Sequence, residues 1–224
     1  FLSATGLLYQ AEDSPCVDKG SATAASLGLD ARTTRTDGTG DSGLVDLGYH
    51  ATNGVVGSLS NLFLYVDADN GDDGHTGWSE DEALKTLTRA LDKAIDGSVI
   101  RIAAGVYATN TPGETFPLVL QDLNLTLVGT NRAATVVNAG GAARVLVAEL
   151  KGRVWLEGLT LTNGYAANGA GLYLLNCMTT LTNVSVIGNH PPLIDQAGYG
   201  VGIYASAGCL TIRHSLLSQN GLAS

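Results

Sequence analysis

Short alternating stretches of apolar and polar residues recur in the second half of the chain. Residues 156–164, 181–189 and 212–220 read LEGLTLTNG, LTNVSVIGN and IRHSLLSQN, and they align position by position. Each has aliphatic or β-branched residues bounded by Gly or Asn, which is the pattern of a short strand. The first residues of the copies are 25 and 31 positions apart. A repeat of this length predicts a solenoid, in which each turn buries its apolar face against the next.

A second stretch alternates with the first. It reads GAGLYL at 169–174 and GVGIYA at 200–205, with a looser copy, GGAARVLV, at 140–147. Because stacked turns place equal positions above one another, we predict an internal aliphatic column, an asparagine ladder at one corner and an external column. These are Leu156, Leu181 and Ile212; Asn189 and Asn220; and Arg144, Tyr173 and Tyr204. The external column is either surface packing with a cation–π contact or a platform for a ligand.

One helix is predicted, at residues 79–96. Ser79 and Glu82 form a capping box at its start, and a Gly follows Asp96 at its end. Its apolar face consists of Leu84, Leu87, Leu91 and Ile95. Such a helix before the first strands of a solenoid covers the apolar end of the stack, as terminal repeats must.

The same region carries a family resemblance. The stretch YVDADNGDDGHTGWSEDEALKTLTRALDKAIDGSVIRIAAGVY, followed by GETFPLVLQDLNLTLVG, is similar to the start of β-helix domains of unknown function in bacterial surface proteins. The Gly-Ile-Tyr and Ser-Gln-Asn stretches resemble repeats of polymorphic outer-membrane adhesins. Residues 61–220 therefore resemble the right-handed parallel β-helix proteins of the pectate-lyase-like superfamily, which includes lyases, adhesins and passive stalks.

The resemblance implies an all-β chain: a single-stranded right-handed parallel β-helix at 62–224 with an N-terminal capping α-helix at about 79–96. Residues 14–20 and 45–49, within the segment 1–50, resemble the closing segment of such a domain, here placed ahead of the β-helix. We predict that 1–50 is an end cap that folds back on its own last turn, docks on a neighbouring copy, or is the end of a preceding β-helix. Residues 51–61, small and Gly-containing, read as a linker.

Charge and hydropathy exclude some partners. The chain has 224 residues and a formal net charge of −9, which argues against nucleic acid because a nucleic-acid interface needs a basic footprint. The sequence contains no apolar run of about 18 residues, so we expect no membrane span. The first residue is Phe1, and no signal peptide is recognised. We therefore expect either a processed chain or a segment of a longer one.

Two acidic stretches suggest calcium. Asp67, Asp69, Asp72 and Asp73 lie close together in the sequence, and Ca²⁺ takes six to eight oxygen ligands. The alternative is a turn in which Asp and Asn side chains bond to their own backbone. Asp37, Asp41 and Asp46 form a weaker version of the same pattern. We expect no other cofactor.

The chain has three cysteines, an odd number that excludes complete intramolecular pairing. Cys177 and Cys209 lie four and three residues before equivalent strand positions, so we expect them on adjacent turns. Two buried thiols are favoured over a disulfide, and Cys16 is interpreted as a small buried hydrophobic residue.

No catalytic constellation is recognised. A β-helix lyase pairs a Lys or Arg base with calcium-binding carboxylates on one strand face, and a glycosidase needs two facing carboxylates. The basic candidates, Arg132, Arg144, Lys151, Arg153 and Arg213, have only Glu149, Glu157 and Asp195 as acids in the same part of the chain. His190 and His214 lie in different repeats, and 190–199 forms a longer loop where a ligand would bind.

We therefore predict a non-enzymatic structural subunit of an extracellular or cell-surface assembly, whose partners are other copies of itself joined head to tail into a fibre by β-strand addition. The predicted interface joins the N-terminal segment to the last turn. Its residues are Phe1, Leu2, Leu7, Leu8, Tyr9, Leu210, Ile212, Leu216 and Leu217. The alternatives are a carbohydrate-binding or polysaccharide lyase-type β-helix, with polysaccharide as the partner, and an adhesin stalk.

Overall fold

A computed structural model describes residues 21–27, 32–33, 44, 51–52, 62–120, 122–149, 152–192 and 199–221. By internal contacts the chain divides into two units, Phe1–Leu62 and Phe63–Ser224. In the first, β1 (Arg32–Thr33) pairs antiparallel with β2 (Ala51–Thr52), and a short 3₁₀ helix spans Ala25–Leu27. Strand β2 lies inside the predicted linker. Most of the predicted end cap, with Phe1, Leu2, Leu7, Leu8, Tyr9 and Cys16, lies outside the described residues.

The second unit contains one α-helix, α1 (Leu87–Lys93), and fifteen strands among its described residues. The strands before residue 150 are β3 (Phe63–Val66), β4 (Val99–Ile102), β5 (Gly105–Ala108), β6 (Leu118–Leu120), β7 (Leu125–Gly129), β8 (Thr135–Asn138) and β9 (Leu146–Glu149). Those after it are β10 (Arg153–Glu157), β11 (Thr160–Thr162), β12 (Leu172–Leu175), β13 (Met178–Thr182), β14 (Ser185–Ile187), β15 (Ile203–Ser206), β16 (Cys209–Arg213) and β17 (Leu216–Ser218).

These strands form three parallel sheets that run along the solenoid. The orders are β16-β13-β10-β7-β4-β3, β17-β14-β11-β8-β5 and β15-β12-β9-β6. From β4 onward, successive strands along the chain fall in different sheets, and each pairs with its equivalent one turn away. Strand β3 precedes them and pairs with β4 in the six-stranded sheet. The parallel β-helix predicted from the repeats is therefore confirmed. Within the described residues, no helix is long and apolar enough to cross a bilayer.

The predicted internal column is confirmed and extends through the six-stranded sheet. Leu156 pairs with Leu181, and Leu181 pairs with Ile212. The column continues on the other side of Leu156 to earlier turns, through Leu127, Ile100 and Leu64. Every member except Ile212 is at most 2% exposed. Stacking identical apolar positions thus builds the core directly from the repeat.

The asparagine ladder is also confirmed. Asn189, fully buried, donates from its amide nitrogen to the Asn220 Oδ1 across 2.8 Å, and its own Oδ1 accepts from the Gly164 backbone N–H at 2.8 Å. Gly171 lies against this amide: a Cβ there would come within 2.8 Å of the Asn189 Nδ2. The corner therefore needs both an amide side chain and a glycine.

The helix differs from the prediction at both ends. It begins at Leu87, with Thr86 as N-cap, eight residues after the start predicted at Ser79. Leu84 does not join it, because its backbone forms a bridge with Val66 and bonds Tyr65 and Asp67. Ile95 lies beyond the end at Lys93 and is 45% exposed. Leu87 and Leu91 are buried as predicted.

Two carboxylates from distant parts of the sequence fix the start of α1. Asp73 accepts from the Lys85 and Thr86 backbone N–H groups at 2.9 Å and from the Thr86 hydroxyl. Glu114, 6% exposed, accepts from the Leu87 and Thr88 N–H groups and from the Thr88 hydroxyl. The first N–H groups of a helix lack intrahelical acceptors and favour negative charge. Asp73 and Glu114 supply the missing acceptors and the negative charge. The helix therefore starts where these two carboxylates bind.

Candidate binding and assembly sites

Two aliphatic residues of the last described turn are more exposed than their equivalents one turn earlier. Ile212 is 42% exposed, although Leu181, its equivalent one turn earlier, is fully buried. Leu217 is 47% exposed and pairs with Val186, which is also fully buried. In the described part of the chain, the end strands β15, β16 and β17 each have one neighbour. An edge of this kind, with free backbone groups and exposed aliphatic side chains, is suited to strand addition.

Two other residues of the predicted interface behave differently. Leu210 is half-buried and already packs on the core. Leu216 is 47% exposed but pairs with Ser185, which pairs with Thr160, so the two turns before Leu216 have polar side chains at its position. The aliphatic part of the described assembly surface therefore consists of Ile212 and Leu217, with Leu210 at its margin.

The predicted external column is confirmed in part: Tyr173 pairs with Tyr204 in the four-stranded sheet, but on its other side Tyr173 pairs with Val147 and not with Arg144, which precedes β9. The Tyr173 and Tyr204 rings stack with centroids 5.2 Å apart and planes 11° apart. The Arg144 guanidinium lies 4.4 Å from the Tyr173 centroid and donates from Nε to the Asn168 carbonyl. Because Tyr173 is stacked on one ring and touched by a cation, its faces are largely used within the protein. This favours surface packing over a ligand platform.

Further tyrosines lie in the loops between repeats. Tyr165 donates its hydroxyl to the Pro192 carbonyl at 2.8 Å, and Tyr199 is 85% exposed. His190 has its Nδ1 2.7 Å from the Gly221 carbonyl. Residues 193–198, in the loop predicted to hold a ligand, lie outside the described residues. That prediction stays open.

A second candidate site, not predicted from the sequence, lies where strands β3, β4 and β7 end. A cavity of about 390 Å³ is lined by Tyr65, Asp67, Glu80, Arg101 and Thr130, together with small and aliphatic residues of the same strands. This volume lies within the range of about 300–1,000 Å³ that is common for small-ligand clefts. The sequence assigned Glu80 to a helix and Arg101 to an ordinary strand, so nothing brought them together.

Two charged groups of this cavity, Arg101 and Asp67, have contacts within the protein that position them. The Arg101 guanidinium lies 5.1 Å from the Phe63 ring centroid and 5.9 Å from that of Tyr65. Burial would raise the pKa of Asp67, but hydrogen bonds from Asn70 and Asp69 and the charge of Lys85 lower it below its ordinary value. Asp67 is therefore ionised, and the cavity carries opposite charges on its walls.

The acidic loop forms self-bonded turns. Asp67 Oδ1 accepts from the Asp69 and Asn70 backbone N–H groups, and Asp72 Oδ1 accepts from the Gly74 N–H at 2.8 Å. Asp73 is engaged at the helix start. Among the residues that the structure describes, no group of three or more His, Cys, Asp or Glu side chains is placed to hold a metal. Calcium binding at Asp67, Asp69, Asp72 and Asp73 stays a prediction, and Asp37, Asp41 and Asp46 lie outside the described residues.

The prediction of two buried thiols is wrong. Cys177 is buried, but Cys209 is exposed, and both are free. The pairing register places Cys209 opposite Met178, not opposite Cys177. The cause is the spacing: the two cysteines lie four and three residues before Leu181 and Ile212, and a shift of one residue in a strand moves a side chain to the opposite face.

The basic residues considered for catalysis lie apart. Arg132 donates to the His214 carbonyl, Arg144 lies on Tyr173, and Arg153 and Arg213 are exposed on the six-stranded sheet. Glu149 is in β9, whereas Glu157 is in β10 and accepts from the Trp155 indole N–H at 3.1 Å. Lys151 and Asp195 lie outside the described residues. Absence of enzyme activity stays a prediction.

Comparison with known families gives one assignment. The model of the DUF1565 family, described as a protein of unknown function, matches residues 69–221. This stretch includes the acidic loop from Asp69 onward, α1 and every later strand. The chain belongs to this family. A search of curated proteins found no match. The DUF1565 match covers the cavity residues Glu80, Arg101 and Thr130 as well as the last turn, but its description assigns no activity to either.

Proposed function

We propose that this DUF1565 protein is a non-enzymatic structural subunit of an extracellular or cell-surface assembly, in which β-helices join end to end. The observation that carries the proposal is the exposure of Ile212 and Leu217, two members of columns that are otherwise buried. Covering each would contribute roughly 1 kcal/mol, about half of the value for complete burial of an aliphatic side chain. Among the described residues, β15, β16 and β17 have a strand neighbour on one side only, so their other edges can add backbone hydrogen bonds to this contact.

The partner in this proposal is a second copy of the chain. Its segment 1–50, which resembles the closing part of a β-helix, supplies the strand that pairs with the last turn. A contact between two different surfaces of the same chain does not close on itself, so it produces a fibre. The net charge of −9 keeps the subunits apart except where aliphatic and backbone groups outweigh repulsion, so added salt favours growth.

The proposal is tested with Ile212→Asp and Leu217→Asp. Both replace an exposed aliphatic group on the end surface, so the fold should survive, as circular dichroism will show. Matched controls are Thr211→Asp and Ser218→Asp, which add the same charge at adjacent positions of the same strands. Light scattering of the unchanged chain and of the controls should show a molar mass that rises with protein concentration. The two end-surface variants should remain monomers.

Two results would refute this function. One is an unchanged chain that stays monomeric at every concentration and salt level. The other is association of Ile212→Asp and Leu217→Asp to the same extent as the controls, because the last turn would then play no part in the contact.

A further inference from the structure

The cavity at the end of β3, β4 and β7 has the features of a binding site, and the assembly function does not use it. Its wall includes Arg101 from β4 and Tyr65 from β3, which are neighbours in the parallel register. The opposite wall comes from the loop that carries Glu80 and Ala83. This loop is tied to the sheet, since the Leu84 N–H donates to the Tyr65 carbonyl and the Asp67 N–H donates to the Leu84 carbonyl, both at 2.8 Å. Backbone hydrogen bonds therefore connect the two walls.

Arg101 is positioned without using its hydrogen-bond donors. Its contacts are with the faces of Phe63 and Tyr65, and within the described part of the chain its guanidinium donates no hydrogen bond. A guanidinium is weakly hydrated and stacks on aromatic rings, leaving its N–H groups in the ring plane to bind two oxygens at once. A carboxylate is the anion whose geometry matches this fork.

The rest of the cavity selects which anions fit. Asp67 is ionised, and the exposed Glu80 side chain has no partner among the described residues. Two carboxylates beside one guanidinium repel a dianion such as phosphate, but they accept hydrogen bonds from hydroxyl or ammonium groups. Thr130, whose hydroxyl donates to the Ile102 carbonyl at 3.3 Å, retains lone pairs for another donor. The ligand that fits these groups has one carboxylate and several hydrogen-bond donors.

We propose that this cavity binds a small organic acid that carries a single carboxylate and, next to it, hydroxyl or ammonium groups. The carboxylate binds the Arg101 fork, and the donors face Glu80, Asp67 and Thr130. Sugar acids and amino acids share this chemistry. The site is independent of end-to-end assembly, because its residues lie in the first strands of the β-helix and not in the last turn.

The test uses the unchanged full chain and four probes. Glucuronate and alanine each combine a carboxylate with neighbouring donors; glucose lacks the carboxylate, and inorganic phosphate is an anion without those donors. Binding is followed by the backbone amide resonances of Ala103, Gly129 and Thr130, which line the cavity. Glucuronate, alanine or both should shift these resonances at concentrations up to about 10 mM, above a weak dissociation constant of about 1 mM. Binding of glucuronate would identify the ligand as a sugar acid, and binding of alanine would identify it as an amino acid.

Two variants locate the binding. Arg101→Gln removes the charged fork, which should weaken binding about tenfold or more, and Glu80→Gln should weaken it several-fold. The matched control is Arg153→Gln, an exposed arginine on the same sheet outside the cavity, which should leave binding unchanged. All three positions are exposed, so the fold is expected to be retained.

Three outcomes overturn the proposal. Neither glucuronate nor alanine binds; glucose or phosphate produces the same shifts with the same affinity; or Arg101→Gln binds as well as the unchanged chain. None of these outcomes bears on end-to-end assembly, which is measured by molar mass.

Discussion

The amide of Asn189 bonds to that of Asn220 across one full turn of the β-helix, with 2.8 Å between Nδ2 and Oδ1. The same nitrogen also lies 3.2 Å from the Leu161 carbonyl, one turn in the other direction. One side chain thus connects three successive turns at a corner where backbone groups would otherwise be unpaired. Buried polar groups that are fully hydrogen-bonded specify how neighbouring layers fit together.

Replacing Asn189 should therefore be costly. Asn189→Ala leaves the Gly164 N–H without the acceptor that it has at 2.8 Å, inside a corner with no exposure at residue 189. An unsatisfied buried group costs about 1–3 kcal/mol, and we expect a loss of at least that size in the free energy of unfolding, measured with urea.

The control is Asn220→Ala, the same chemical change one turn later, where the side chain is half-exposed. Water can replace its lost bonds, so the cost should be smaller. Equal costs at both positions would show that burial of the ladder does not determine its energy.

The stack of Arg144 on Tyr173 distinguishes packing from ligand binding. A cation over an aromatic face contributes about 0.5–1 kcal/mol at an exposed site. A double-mutant cycle with Arg144→Met and Tyr173→Leu should give a coupling of that size in urea unfolding without any added ligand. The cycle removes the separate contribution of the Arg144 bond to Asn168. A coupling near zero would argue that these side chains are placed for a ligand.

Glu114 should make stability depend on pH. Burial raises the pKa of Glu114 above its ordinary value of 4.5, and hydrogen bonds from Thr88 and Leu87 offset this only in part. A carboxyl with a raised folded-state pKa contributes stability that is present below the ordinary pKa and lost as the pH rises through the folded-state value. The unfolding free energy of the unchanged chain, minus that of Glu114→Gln, should therefore fall as the pH rises through this interval.

Glu114→Gln should also destabilise the fold when the pH lies above the folded-state pKa of Glu114, where both carboxylate oxygens accept hydrogen bonds. Its amide NH₂ cannot accept from both the Leu87 and Thr88 N–H groups, so one bond is lost, at a cost of about 1–3 kcal/mol. Glu149→Gln, in an exposed position, serves as the control. A difference curve that rises with pH would contradict the assigned direction of the pKa shift.

Asp73 tests the two interpretations of the acidic loop. Its carboxylate accepts from two backbone N–H groups and the Thr86 hydroxyl, so Asp73→Asn should lower the melting temperature through loss of these charge-assisted bonds. If the turn interpretation holds, the loss is the same in excess Ca²⁺ and in chelator. A melting temperature of the unchanged chain that rises in Ca²⁺ but not in Mg²⁺, and no longer does so in Asp73→Asn, would support the calcium prediction.

The features that could be predicted from the sequence are those that follow from aligning its repeats. Leu156, Leu181 and Ile212 could be aligned by reading, because parallel pairing places equal positions above one another, and the same alignment identified the Asn189 ladder and the Tyr173 stack. The Cys209 error has the same origin, since a one-residue difference in spacing moves a side chain to the opposite face.

The helix start and the cavity were not predicted, because they depend on contacts between residues far apart in sequence. The helix start at Leu87 is determined by Asp73 and Glu114, which lie 14 and 27 positions away, whereas the local signal at Ser79 and Glu82 predicted a longer helix. The cavity joins Glu80 to Arg101 only because Leu84 pairs with β3 instead of entering the helix. No local pattern carries that information.

Hydrogen exchange of the last turn tests the central claim most directly. If copies join end to end there, amide protection in β16 and β17 should rise with protein concentration, because their free backbone groups become paired. Protection in β13 and β14, one turn earlier, should not change. Protection of β16 and β17 that is the same in dilute and concentrated protein would contradict the proposed assembly.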